Sequence, residues 1–212
     1  MISRRRFLQS AVVAAPLILT SPAFARGKTK PNDQVAIGLI GLGGRCTDIM
    51  KTLVEIPQAR IVSVCDCFKP RVEYWMDNAG KERGWKPYLD FREMMEKEKL
   101  DGVMVETTTH ARAWIACHAM AAGMDAYIEK PMSLTIAEGR EMVGCARKYK
   151  RVTQVGTQQR SIPLNNWASD FVKSGALGKV HTVLAPNFVG PIQWQPKPEE
   201  PLPEGTTEGW WN

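Results

Sequence analysis

The order of patterns along this 212-residue chain predicts an α/β protein: a doubly wound parallel sheet, then the start of a second α/β domain. Three observations carry that prediction. Short apolar or β-branched runs alternate with longer runs of helical period, as in sheets of parallel strands joined by crossover helices. A glycine-rich turn separates the first strand-like run from the first helix-like run. The alternation lapses after residue 157, where irregular, proline-rich sequence takes over.

The elements follow in order. Residues 35–40 are a short apolar run and read as a buried strand. Residues 46–56 place Ile49, Met50, Leu53 and Val54 at helical spacing, and 60–67 read as a second strand. A helix over 70–83 stops at Gly84. Asp90 with Glu93 resembles a capping box opening a short helix. Residues 103–107 are a third strand, and the small-residue helix 111–122 stops at Gly123. Residues 126–129 form a strand, Thr135 with Glu138 caps a helix running to Tyr149, and 152–156 form another strand. Beyond these, 162–173 read as helix, 180–189 as a strand of a different sheet, and 191–203 as irregular. The terminal Trp210-Trp211-Asn212 suggests a sequence cut within a second domain. The organisation expected is thus 1–25 signal, 26–32 linker, 33–157 nucleotide-binding domain and 158–212 an incomplete substrate domain.

Hydrophobic residues make up 44% and charged residues 24%, which excludes disordered and fibrous classes. The net charge of +6 is partly local. Arg4, Arg5 and Arg6 lie in a first segment without acids, and the remainder has no Lys/Arg block, so nucleic acid is not an expected partner. The five cysteines, Cys46, Cys65, Cys67, Cys117 and Cys145, fit no zinc spacing, and no metal site is expected. They read as small buried hydrophobes, with Cys65 and Cys67 inside the second strand.

The N-terminus reads as an address. A basic Met1–Arg6, an apolar Ser10–Thr20 and Ala23-x-Ala25 have the layout of a cleavable signal peptide, and the apolar stretch is too short to span a membrane. Ser3-Arg4-Arg5-Arg6-Phe7-Leu8 looks like a twin-arginine export signal, preferred here over an ordinary general-secretory signal or a retained N-terminal anchor. That makes the twin-arginine machinery a partner and the periplasm the destination. The route carries folded proteins, which suits one that loads a cofactor before export.

The turn Gly38-Leu-Ile-Gly41-Leu-Gly43-Gly44-Arg45 follows the first strand and opens the first helix. Gly41-x-Gly43-x-x-Cys46 is a dinucleotide fingerprint with Cys in the third glycine place. Gly41 permits the tight turn and Gly43 lets backbone approach a pyrophosphate, while Gly44 and the helix N-terminus offer N–H groups. Arg45 adds a charge-assisted contact. Asp66, ending the next strand, is placed to accept hydrogen bonds from ribose hydroxyls, which favours NAD; Lys69 and Arg71 nearby leave NADP open.

With that turn and Asp66, the motifs Tyr127-Ile128-Glu129-Lys130-Pro131 and Gly156-Thr157-Gln158-Gln159-Arg160 closely resemble the Gfo/Idh/MocA family, which includes glucose–fructose oxidoreductase and inositol dehydrogenase. The resemblance covers about residues 33–190. It implies an N-terminal Rossmann-type domain, a C-terminal α/β domain, and NAD(P)-linked oxidation or reduction of a sugar or polyol by a full-length homo-oligomer. It places Lys130 near the nicotinamide and the reacting hydroxyl, as the catalytic residue, with Pro131 after a cis peptide. Thr107, Thr108, His110, Glu129 and Gln158 would line the cofactor. The chain departs from the family at Arg112, where a second His is common, and it lacks the family's Gly-Asp-x-x-x-His stretch, so this piece alone is expected to be inactive.

A lysine against the nicotinamide suits the chemistry, because hydride loss from a carbinol carbon requires loss of the hydroxyl proton. Two other readings stand beside this one. The first is an NAD-dependent glycosidase of the same fold, and the second is a non-catalytic nucleotide-binding module.

Overall fold

The computed structural model describes residues 33–185. The expected signal peptide, linker and proline-rich C-terminal stretch lie outside them. β1 (Val35–Ile40) lies within the sheet, pairing in parallel with β2 (Ala59–Cys65) on one side and β4 (Gly102–Val105) on the other. β3 (Lys86–Tyr88) adds one edge, and β5 (Asp125–Glu129) and β6 (Thr153–Gly156) extend the other. The order is β3-β2-β1-β4-β5-β6, all parallel. β4 is buried at every residue, which is why its sequence is continuously apolar rather than alternating.

The helices are α1 (Gly44–Leu53), α2 (Lys69–Trp75), α3 (Phe91–Lys97), α4 (Thr109–Ala121), α5 (Ile136–Tyr149) and α6 (Pro163–Lys173). Neighbouring residues of a strand point to opposite faces, so Leu39 and Ile40 enter different cores. Leu39 packs with Leu42, Cys46, Met50, Val64, Val72 and Trp85. Ile40 packs with Phe91, Met94, Val105, Ile115, Met120 and Ile128. Each such side chain contributes about 1.5–3 kcal/mol by leaving water, before the entropy of ordering is set against it.

Several expectations change in detail. The helix expected over 70–83 is broken by a π-helical turn, Met76–Gly80, before a last turn, Lys81–Arg83, that ends at left-handed Gly84. α1 begins two residues earlier than its apolar period, at the glycine turn itself. β2 ends at Cys65, so Asp66 and Cys67 lie beyond the strand. All five thiols are free; Cys46 and Cys65 are buried, whereas Cys67, Cys117 and Cys145 are half-buried.

Thr135 and Glu138 form the reciprocal capping box of α5. Asp90 caps α3 by accepting from the Arg92 N–H, but Glu93 turns to Lys97 instead of reaching back, so that box is not completed. After β6, a 3₁₀ turn (Gln158–Ser161) leads to α6, and residues 161–185 are all exposed. The strand expected over 180–189 is not formed at 180–185; its remainder lies outside the described residues.

Candidate functional site

β1 sits where the strand order reverses, with β2 on one side and β4 on the other. That reversal opens a crevice at the carboxyl ends of the strands. The glycine turn forms one wall. Gly41 has φ 91°, and a Cβ there would lie 2.6 Å from the Thr107 nitrogen. Only glycine therefore allows the turn to press against the end of β4. Gly43 and Gly44 face open space. α1 starts with no capping side chain and no acidic residue in its first turn. Its first N–H groups have no intrahelical partners and carry the positive end of the helix dipole. An uncapped helix start with room above two glycines fits a pyrophosphate.

Asp66 is 4% exposed and joins the two walls of β2's end. Its Oδ2 accepts from the Leu42 N–H at 2.8 Å and its Oδ1 from the Phe68 N–H at 2.9 Å. Arg71 stands 3.6 Å away. The carboxylate thus shapes the glycine turn through Leu42, a role its position in the sequence does not announce. Arg45, expected on the pyrophosphate, reaches across the crevice floor, with Nε 3.3 Å from Glu129 Oε2.

The opposite wall is built by β4, β5 and α4. Thr107 is half-buried; Thr108 and His110 are exposed and share a hydrogen bond, Oγ1 to Nδ1, of 3.0 Å. Arg112, the departure from the family pattern, is buried. Its Nε donates to the Thr107 carbonyl at 2.9 Å and its Nη1 to the Pro131 carbonyl, tying the loop after β4 to the loop after β5. Lys130–Pro131 is the cis peptide the resemblance implies. Lys130 follows β5 directly, is exposed, and has no hydrogen bond or ion pair among the described residues. Gln158 is half-buried two residues after β6, whose Gly156 pairs with Glu129.

Two functional features were missed in the sequence. One is the Arg112 clamp. The other is Glu106, which follows the apolar run of β4 and is only 7% exposed, beside Glu129 at 2%. Burial, reinforced by the Glu129 charge and opposed by Arg45 and Arg112, pushes the Glu106 carboxyl up to about 7. A groove of about 980 Å³ beside β3 lies away from the crevice. Its lysines 69, 81, 86 and 97 are each paired with an acid, which leaves no free charge for a ligand.

A parallel sheet with this strand order, a glycine turn opening a helix and a carboxylate after β2 defines a dinucleotide-binding domain of the Rossmann type, which NAD-linked oxidoreductases use. The model of an oxidoreductase family with an NAD-binding Rossmann fold matches residues 35–157, and the chain belongs to that family, Gfo/Idh/MocA. Myo-inositol 2-dehydrogenase of Thermotoga maritima is 30% identical over 149 residues, covering 69% of this chain and 43% of that protein. A glycosyl hydrolase family 109 protein of Porphyromonas gingivalis is 26% identical over 186 residues, covering 79% and 37%. The crystal structure of myo-inositol 2-dehydrogenase from Lactobacillus plantarum superposes with a TM-score of 0.64 at 25% identity, covering 69% of this chain and 43% of that one. The chain therefore spans less than half the length of these relatives.

Proposed function

We propose that this chain is the nucleotide-binding part of an exported enzyme that moves a hydride between a carbinol carbon of a sugar or polyol and nicotinamide. NAD is the preferred cofactor and NADP the alternative. The observation that carries the reading is Lys130. Its amino group has no partner among the described residues. The residue follows β5 directly, with β4 between it and the glycine turn and its loop held by Arg112 through the Pro131 carbonyl. When bound, NAD supplies the hydride acceptor. The residues of this chain hold the cofactor and assist the transfer. The first turn of α1 holds the pyrophosphate, and Asp66 faces the ribose next to it. Thr107, Thr108, His110 and Gln158 border the crevice. Lys130 acts at Nζ: as the free amine it takes the hydroxyl proton during oxidation, and as the ammonium so formed it returns that proton during reduction.

The test is Lys130→Met in the full-length protein, which keeps most of the stem volume and removes the amino group. Hydride transfer, followed as NADH absorbance, is expected to fall by about 10²–10⁴-fold, while NAD affinity changes much less. Unchanged turnover would remove Lys130 from the chemistry. The fragment alone is expected to turn over nothing.

A second reading, a glycosidase that oxidises its sugar transiently, is favoured by the likeness to glycosyl hydrolase family 109. It predicts glycoside cleavage without net NADH, whereas the first predicts one NADH per sugar oxidised. Export by the twin-arginine route rests on Arg4 and Arg5. Replacing both by Lys keeps the charge and should hold the protein in the cytoplasm; normal periplasmic yield would refute it.

A further inference from the structure

We propose that Glu106 is a positioning residue of the nucleotide site: with Glu129 it forms a buried acid pair that holds Arg45 while the crevice is empty and takes up a proton when Arg45 turns to the pyrophosphate. The proposal rests on reading the crevice as an NAD site.

Its geometry comes first. Glu106 abuts the glycine turn, since a Cβ on Gly41 would lie 2.8 Å from the Glu106 carbonyl carbon, and the Glu106 N–H donates to the Ile40 carbonyl at 2.8 Å. Glu129 ends the neighbouring strand, β5. Neither oxygen of either carboxyl has a hydrogen-bond donor, although both side chains are more than nine-tenths buried. Leaving such groups unpaired is costly, so a charge, a proton or a ligand must compensate them.

The groups facing Glu106 are few. β5 contributes Glu129 and Tyr127, α1 contributes Arg45 and Cys46, and α4 contributes Arg112. Arg112 is committed to the carbonyls of Thr107 and Pro131 and to the Thr109 hydroxyl. Arg45 is different. Its side chain is 34% exposed, it stands beside the uncapped start of α1, and its Nε makes an ion pair with Glu129 without a hydrogen bond. Arg45 is therefore the cation able to change partners. A pyrophosphate over α1 offers it two negative charges at the helix's positive end.

Once Arg45 turns away, Glu129 loses its nearest counter-charge, and a new negative charge has arrived. Two carboxylates in a water-poor space do not both remain ionised, so the pair takes one proton from solvent and holds it as a unit. The pair therefore binds protons more tightly in the loaded protein than in the empty one. It follows that NAD affinity is greatest below pH 7 and falls as pH rises through 7, by up to about tenfold per pH unit.

Calorimetric titration with NAD at pH 6, 7 and 8, each in two buffers of different ionisation heat, reads binding and proton uptake separately. The wild-type chain is expected to take up about half a proton per NAD at pH 7. Glu106→Gln has the shape of the protonated acid and cannot titrate; it should bind NAD with no uptake and a flat pH profile. Glu129→Gln serves as a second variant, and removing its charge should shift the uptake below pH 7. Binding without buffer dependence in the wild type, or equal uptake in either variant at pH 7, overturns the proposal and leaves the NAD reading standing. Failure of the wild type to bind NAD overturns both.

Discussion

Asp66 and Glu106 follow the two strands that flank β1, and both are buried, yet their surroundings are opposite. On the β2 side, each Asp66 oxygen receives a backbone N–H, from Leu42 and from Phe68. On the β4 side, Glu106 and its neighbour Glu129 receive none. The first carboxylate is completed by the fold itself and helps to set the glycine turn. The second pair is left to a half-exposed arginine and to protonation, so it answers to whatever enters the crevice. One crevice thus combines a finished wall with a responsive one, and the Gly41 contact joins them.

The largest expected effect comes from breaking that contact. Gly41→Ala forces a side chain into a left-handed conformation and against the Thr107 backbone, so the two walls must part. A loss of about 3 kcal/mol or more is expected in urea unfolding. A loss below about 1 kcal/mol would mean that the walls are not rigidly coupled.

The responsive wall can be tested through pH. The Glu106 carboxyl sits near 7 when folded and near its ordinary 4.5 when unfolded, so the folded chain binds the extra proton between these values. Stability from this group therefore falls as pH rises from about 4.5 to 7 and is level above, a total of about 3 kcal/mol at most. Asp90 and Glu98, whose carboxyls are lowered, act in the opposite sense. The informative quantity is thus the difference between wild type and Glu106→Gln in denaturation at pH 5, 6, 7 and 8. A difference that does not change across that range would place the Glu106 charge elsewhere.

The finished wall is tested through its hydrogen bonds. Asp66→Ala leaves two backbone N–H groups unpaired, at about 1–3 kcal/mol of stability. It should also weaken NAD binding more than NADP binding, because the repulsion against a 2′-phosphate is removed together with the ribose contact. Equal losses for both nucleotides would confine Asp66 to shaping the turn.

The strands β1, β2, β4 and β5 and the helices were readable because burial enforces apolar runs in the strands and helix faces enforce period; β6, exposed at Thr153 and Gln154, was read from the alternation of elements. β3 was not readable. Lys86-Pro87-Tyr88 is a three-residue edge strand, exposed at Lys86 and Pro87 and half-buried at Tyr88, with no apolar pattern to betray it. The π-helical turn was hidden because Met76–Gly80 keeps a helical composition. At the site, the glycine turn and Glu129-Lys130-Pro131 were legible as motifs. Glu106 was not: it was read inside the strand expected over 103–107, whereas that strand ends at Val105 and nothing in the sequence marks the burial of the next residue. Arg112 was read as a missing histidine, and only the fold shows that its guanidinium spans two loops distant in sequence. Arg45 was assigned to the pyrophosphate, although its ion pair with Glu129 depends on α1 and β5 meeting in three dimensions.

Gly156 shows how far the acid pair's influence extends. A Cβ there would stand 2.5 Å from both Glu129 Oε2 and the Tyr127 hydroxyl. Gly156 is not among the glycines of positive φ, so its restriction comes from its neighbours. Drift at 156 is therefore chained to residues 127 and 129. Homologues with a shorter side chain at 129 are expected to admit alanine or serine at 156, and those with both Tyr and Glu should retain glycine. An aligned set in which larger residues at 156 accompany the Tyr–Glu pair would contradict that coupling.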